Sequence, residues 1–167
     1  MKTQEALSIK GTVHIELFDK DGKLKAEETV HNLVTAVGDQ MYAARGAGVG
    51  SAPAAPTGMR LGTGSTAASK TGAGAALVTK LTGGNHALDS SYPQAAGGVV
   101  QYKCTYSPGE GTSASAIQEV VLVNDTIATD TATAAANTIA RVVVTTIPQK
   151  LASDTLVATW THTLAGS

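Results

Sequence analysis

LGTGSTAASKTGAGAAL, residues Leu61 to Leu77, is the stretch whose reading separates two fold classes. It holds Gly62-x-Gly64-x-x-Ala67, close to the glycine fingerprint of a dinucleotide-binding turn, which belongs to doubly wound α/β enzymes. That fingerprint needs a buried strand before the glycines, a helix opening at them, and a further parallel strand ending in an acidic residue. Here STAASKTGAGA follows, with more glycines where a packed helix would run, and Asp89 lies at a plausible distance but inside a loop. Lys70 also lacks the preceding glycine of a phosphate-binding loop. The stretch therefore reads as a surface connection rich in small residues, and the fold must be sought on either side of it.

Towards the amino terminus, SIKGTVHIELFDKDGKLKAEETVHN alternates with period two. Ile9, Val13, Ile15 and Leu17 share one parity, interrupted by Gly11, and Lys10, Thr12, His14 and Glu16 share the other, the pattern of a half-buried strand. Asp21-Gly22 supplies turn chemistry, and a return strand from about Lys23 to His31 completes a hairpin. In NLVTAVGDQMYAARGAG, Leu33, Val34, Val37 and Met41 recur at three and four residues, with Tyr42 beside them. That spacing predicts a short helix over about 33–45, capped by Asn32 or Thr35 and ended at Gly46. GMRLGTG allows a short strand around Met59 to Leu61, and AALVTKL (75–81) is open between one or two helical turns and a strand fragment.

Towards the carboxyl terminus the chain reads as β throughout. GVVQYKCTYS sets Val100, Tyr102, Cys104 and Tyr106 against Val99, Gln101, Lys103 and Thr105, and SPGEGTS is a turn. AIQEVVLVND and TIARVVVTTIP are rich in Val and Ile. DTLVATWTHTL alternates again, with Leu156, Ala158, Trp160, His162 and Leu164 on one face. The expectation is a single all-β domain over 1–167, mainly an antiparallel, jelly-roll-like β-sandwich, with an N-terminal hairpin plus short helix (8–45). Long Gly/Ala-rich loops are expected at 46–58, 62–74 and 83–97, and no repeat of fixed period is visible.

Composition narrows the function classes. The 167 residues are 15% charged, with net charge −1 and 4% aromatics. That balance argues against a broad nucleic-acid or anionic-membrane surface. A charge-poor surface rich in Thr, Ser, Ala and Gly suits a subunit packed among others at least as well as a free cytosolic enzyme. Cys104 is the only cysteine, which excludes an intrachain disulfide and a cysteine metal cluster. No run approaches roughly 18 apolar residues, and MKTQEALSIKG has no apolar leader core, so a soluble protein made in the cytoplasm is expected.

No catalytic constellation emerges, and no cofactor or metal is expected. His14, His31, His86 and His162 are dispersed; His14 and His31 are expected to face each other across the hairpin as polar surface partners, and His162 to be structural at a sheet face. Cys104, on a strand with apolar neighbours, reads as a small buried hydrophobe. Asn124-Asp125-Thr126 matches a glycosylation acceptor that has no consequence without export.

Three blocks, taken in order, carry a resemblance. They are VHIELFDKDGKLKAEETVHNLVTAVGDQMYAA, MRLGTGSTAASKTGAGAAL, and the β-rich run from VVQYKCTYS to WTHTL. From about residue 11 to 164 this order resembles small β-rich virion proteins of tailed bacteriophages, both capsid decoration (cement) proteins and tail- or fibre-associated proteins. The resemblance implies a non-enzymatic structural protein that binds the major capsid protein on the outer lattice, with a homotrimer favoured. A tail, neck or fibre component, or a host-binding module using Tyr92, Tyr102, Tyr106 or Trp160, is the alternative. Under the decoration reading, the Leu61–Leu77 loop would become ordered only on assembly. The interface would use exposed loop positions: Arg45, Pro53, Pro56, Arg60, Lys70 and Lys80, together with the segment 46–58.

Overall fold

The computed structural model describes residues 7–166. The N-terminal hairpin forms as its alternation demands, from β1 (Leu7–Phe18) and β2 (Leu24–Val34). The Asp19 carboxylate accepts from the backbone N–H groups of Asp21 and Lys23, both at 2.9 Å. Gly22 takes φ +77°, a left-handed conformation that glycine adopts without strain. His14 pairs with Thr29, and His31 with Thr12, so the two histidines do not face each other. The helix α1 (Ala36–Gly46) starts three residues later than expected, because Leu33 and Val34 extend β2 and pair with the neighbouring strand. Thr35 caps it, its hydroxyl oxygen accepting from the Gly38 N–H at 3.2 Å.

Six further strands follow α1 before the last: β3 (Gly58–Gly62), β4 (Lys80–Ala87), β5 (Gln94–Ala96), β6 (Val99–Tyr106), β7 (Glu119–Val123) and β8 (Thr138–Val143). The last, β9 (Thr155–Gly166), pairs along the whole of β1. The expected loop at 83–97 is corrected, since it contains most of β4 and all of β5. The loop at 62–74 begins within the end of β3 and closes on a single 3-10 turn at Ala73–Ala75. After that turn residues 76–79 are neither helix nor strand, and β4 begins at Lys80.

All pairings are antiparallel, and the nine strands form one sheet in the order β4-β3-β7-β8-β2-β1-β9-β6-β5. The all-β class with one helix stands; the two halves are joined through β2 rather than separated as two sheets. That join is narrow, because β2 meets β8 only at Leu33 and Val34. The sheet curls until its first strand approaches β6. There the Cys104 thiol donates to the Ala87 carbonyl at 3.2 Å, and the Asp89 N–H to the Lys103 carbonyl at 2.9 Å.

Inside the curl, Val13, Ile15, Leu17, Tyr102, Cys104, Tyr106, Leu156, Ala158 and Trp160 from one half meet Met59, Leu61, Val120, Leu122, Ala140 and Val142 from the other. Period two thus works as expected in β1, β6 and β9. In β3 and β7 every residue is buried, which means that their outer face is covered as well.

Candidate functional site: a loop-clad sheet face

The outer face of the β3–β7–β8 half carries one row of paired positions: Asn85, Arg60, Val121, Arg141 and Leu33. Two arginines thus rise from the middle of a sheet, each fully buried. Buried guanidinium groups need charged partners and acceptors for their fixed fork of donors. Arg141 finds them in Glu119 of β7 and in a loop folded back over the sheet, and Arg60 finds them in a second such loop.

Arg141 is bound through Nε (3.2 Å) and Nη2 (2.8 Å) to the carboxylate of Glu119, which is equally buried. Its Nη1 donates to the Thr66 carbonyl at 2.6 Å. The Glu119 carboxylate also accepts from the N–H groups of Gly64 (3.1 Å), Val78 (3.1 Å) and Thr79 (2.7 Å). One carboxylate therefore gathers both ends of the Leu61–Leu77 stretch. A Cβ on Gly62 or on Gly64 would fall 2.6 Å from Glu119 Oε1, a distance no real Cβ tolerates. The glycine pair does let backbone N–H groups approach an anion, as its likeness to a dinucleotide turn suggests, but the anion belongs to this chain.

The loop then runs up the sheet to α1. The Ala36 N–H donates to the Lys70 carbonyl at 2.9 Å, and Lys70 Nζ lies 2.6 Å from Asp39. Beneath it, Leu77 packs on Val121, Val123 and Ile127 as a second, small core. The expectation of a loop that becomes ordered only on assembly is corrected: it is fastened at both ends and at its middle.

Arg60 does the same for the loop between β7 and β8. Its Nη1 donates to the Thr129 carbonyl at 2.8 Å, and its Nη2 to the Thr126 carbonyl (3.2 Å) and to Asp125 Oδ1 (3.1 Å). Asp125 also accepts from the Thr133 hydroxyl at 2.9 Å. Arg60, placed from sequence on an exposed loop, is only 1% exposed, a correction with a plain cause. A cation in a short apolar strand is tolerated there because Asp125 neutralises it under the loop.

The other positions singled out from sequence are distributed over the same side. Arg45 is exposed and donates to the Pro53 carbonyl at 3.3 Å; Pro53 and Pro56 are half-buried. Lys80 is half-buried and pairs with Asp130 at 2.8 Å. Arg60 and Lys80 are thereby brought to one loop, and Lys70 to α1. Every cation in that set has a partner within the chain. Only Lys70 and Asp130 carry charge in residues 46–56, 63–79 and 126–137, and each is neutralised. The opposite side of the molecule, the outer face of β1, β2 and β6, displays Lys10, His14, Glu16, Glu27, His31 and Lys103.

Tyr102, Tyr106 and Trp160 are buried, and Tyr92 is half-buried. The Asn124 amide is held by the Ala54 carbonyl at 3.1 Å. Burial, reinforced by the charge of Asp89, pushes the Cys104 thiol well up, so it stays neutral. Among the described residues no group of three or more His, Cys, Asp or Glu is placed to share a metal ion, and no helix is long and apolar enough to cross a membrane.

Sequence reasoning missed Glu119, Asp125 and Arg141 altogether. For Glu119 and Arg141 the signal was present: single charges set within IQEVVLV and IARVVV, where an exposed reading conflicts with the apolar neighbours on both sides; Asp125 stood out only as part of a glycosylation-like triplet. Comparison of the chain with protein-family models, with curated proteins and with solved structures finds no match.

Proposed function

We propose that this protein is a non-enzymatic structural subunit of a tailed-bacteriophage virion, a decoration protein that lays its loop-clad face on the outer capsid lattice and stabilises the head. The observation that carries the reading is that face: three long loops, nearly free of net charge and composed of small residues, two of them clamped from beneath by buried ion pairs. Such a surface loses little rotamer entropy on docking, because Ala, Gly, Ser and Thr have little to lose. Its clamps remove most of the ordering cost that a mobile loop would bring. Interface cores are depleted of charge for the same desolvation reason. Binding confined to the assembled lattice would stabilise it by mass action. The major capsid protein is the partner in this reading, and a homotrimer at a threefold seam the oligomer.

The test is sedimentation of the purified protein with emptied phage heads and, separately, with isolated tails, alongside Ala67→Glu and Ala128→Glu, two exposed loop positions. Saturable binding to heads, lost in the charged variants while their folding is unchanged, is the expected result. A few copies confined to tails or necks would replace the proposal with a tail-associated role. Binding to neither would end both.

A further inference from the structure

We infer that Asn32, His162, Tyr42 and Tyr102 form an acid-sensitive latch that fastens α1 to the sheet. His162 lies on the inner face of β9, beside Gly11 of β1 and Val100 of β6, and has no solvent exposure. Both ring nitrogens are engaged: Nδ1 with the Tyr42 hydroxyl at 2.7 Å, Nε2 with the Asn32 amide nitrogen at 3.1 Å. The Tyr42 hydroxyl continues to that of Tyr102 at 2.9 Å. Tyr42 comes from α1, so the helix is tied through one hydroxyl to two strands.

Gly11 is part of the device. A Cβ there would fall 1.8 Å from Asn32 Oδ1, so the missing side chain is the lane by which Asn32 crosses β1 to reach β9. This accounts for the glycine that interrupts the alternation of Ile9, Val13 and Ile15. Asn32 Oδ1 is left buried without a partner. With the amide nitrogen directed at Nε2, the neutral ring carries its proton on Nδ1 and donates it to Tyr42.

A second proton on Nε2 would meet the donor face of the Asn32 amide. Among the described residues no counter-charge stands ready. The titratable groups facing the ring are Tyr42 from α1 and Tyr102 from β6, and the one cation near them, Arg45 of α1, acts on Tyr102; β2 offers Asn32, β1 only Gly11, and β9 itself Trp160. Burial holds both tyrosines neutral, and Arg45 is a cation. Burial alone lowers the His162 imidazole from 6.5 to about 4.

The sign follows from linkage. Latched, the ring stays neutral until about pH 4; with α1 lifted and the ring hydrated, it protonates near 6.5. Protons therefore bind the open form more tightly, and acid shifts the equilibrium towards it. Between pH 7.5 and 5.0 the opening constant rises by about 25-fold, while most carboxylates remain ionised.

Amide hydrogen exchange of Ala36–Gly46, corrected for intrinsic chemistry, reads this directly at the two pH values. The expected result is that rise in the unaltered protein and none in His162→Gln, whose amide donates and accepts without titrating. Tyr42→Phe keeps the ring packing and removes the tie, so α1 should exchange faster already at pH 7.5 while β1 and β9 stay protected. If α1 exchange changes less than about threefold with pH, if His162→Gln responds as the parent does, or if Tyr42→Phe leaves α1 unaffected, the latch is refuted. Should His162→Gln fail to fold, the parent's own pH response and Tyr42→Phe decide the matter.

Discussion

Replacing Glu119 by Gln tests the physical account of the loop-clad face at its most loaded point. The carboxylate has no exposed surface and serves five donors: two from Arg141 and three backbone N–H groups of the overlying loop. Glutamine keeps the shape but has one acceptor oxygen, and its amide nitrogen must face a donor. Arg141 is left as a buried cation with a poor partner, a loss that costs about 3–5 kcal/mol. With a urea slope of roughly 2 kcal/mol/M, the midpoint should fall by about 1.5–2.5 M. Trp160, the only tryptophan and fully buried, reports the transition by fluorescence, and protease cleavage within 63–79 reports the loop.

The double variant Glu119→Leu with Arg141→Met separates the two roles of the carboxylate. Were the ion pair alone important, an apolar replacement would be near neutral or stabilising. The three orphaned N–H groups predict otherwise: a residual loss of at least about 2 kcal/mol, because buried donors without acceptors remain. A midpoint for Glu119→Gln within 0.3 M of the parent (roughly 0.6 kcal/mol), with unchanged cleavage, would refute the reasoning.

Further predictions follow from neighbouring features. Gly64→Ala pushes a methyl group against Glu119, so it should destabilise by about 1–3 kcal/mol and speed cleavage of the same loop, measured in the same two assays. Arg60→Met should lower stability by about 3 kcal/mol, since it strands Asp125 and frees the Thr126 and Thr129 carbonyls; an unchanged urea midpoint would contradict the burial of this arginine. At Asp154, burial opposes ionisation, but Lys25 Nζ at 2.6 Å and the Leu151 N–H outweigh it and hold the carboxyl below its usual 3.8. Its contribution is therefore present above pH 3.8 and lost as the pH falls further, so Asp154→Asn should flatten that acid limb of the stability profile.

The parts of the fold that were legible in the sequence are those in which side chains decide the backbone. In β1, β6 and β9 one face is buried and the other solvated, so apolar and polar residues alternate visibly. β4 and β5 were invisible for the opposite reason. KLTGGNHA and QAA have no alternation, and these segments are extended because β3 and β6 present them with backbone partners. The candidate site was partly legible: the glycine spacing of Leu61–Leu77 stands out in the sequence as a near-match to a dinucleotide turn, but it reads there as a mobile surface connection, whereas the structure sets those glycines against Glu119. Its fixed conformation was not legible, since the carboxylate that fixes it lies over forty residues away and the arginine that completes the pair further still. Lone charges within apolar strands are ambiguous until the chain that covers them has been placed.

The ladder joining β1 to β9 has a mechanical consequence. Leu7 stands opposite Gly166 and Phe18 opposite Thr155, so the outer ends of these two long strands emerge side by side. A load drawing those ends apart would act across the ladder rather than along it, opening its hydrogen-bonded pairs one after another like a zip. A load applied between the Leu7 end of β1 and the Thr155 end of β9 would instead act along the strands and stress many pairs at once. Single-molecule pulling through these two attachments should give a low, sawtooth-free force in the first direction and a high, abrupt one in the second.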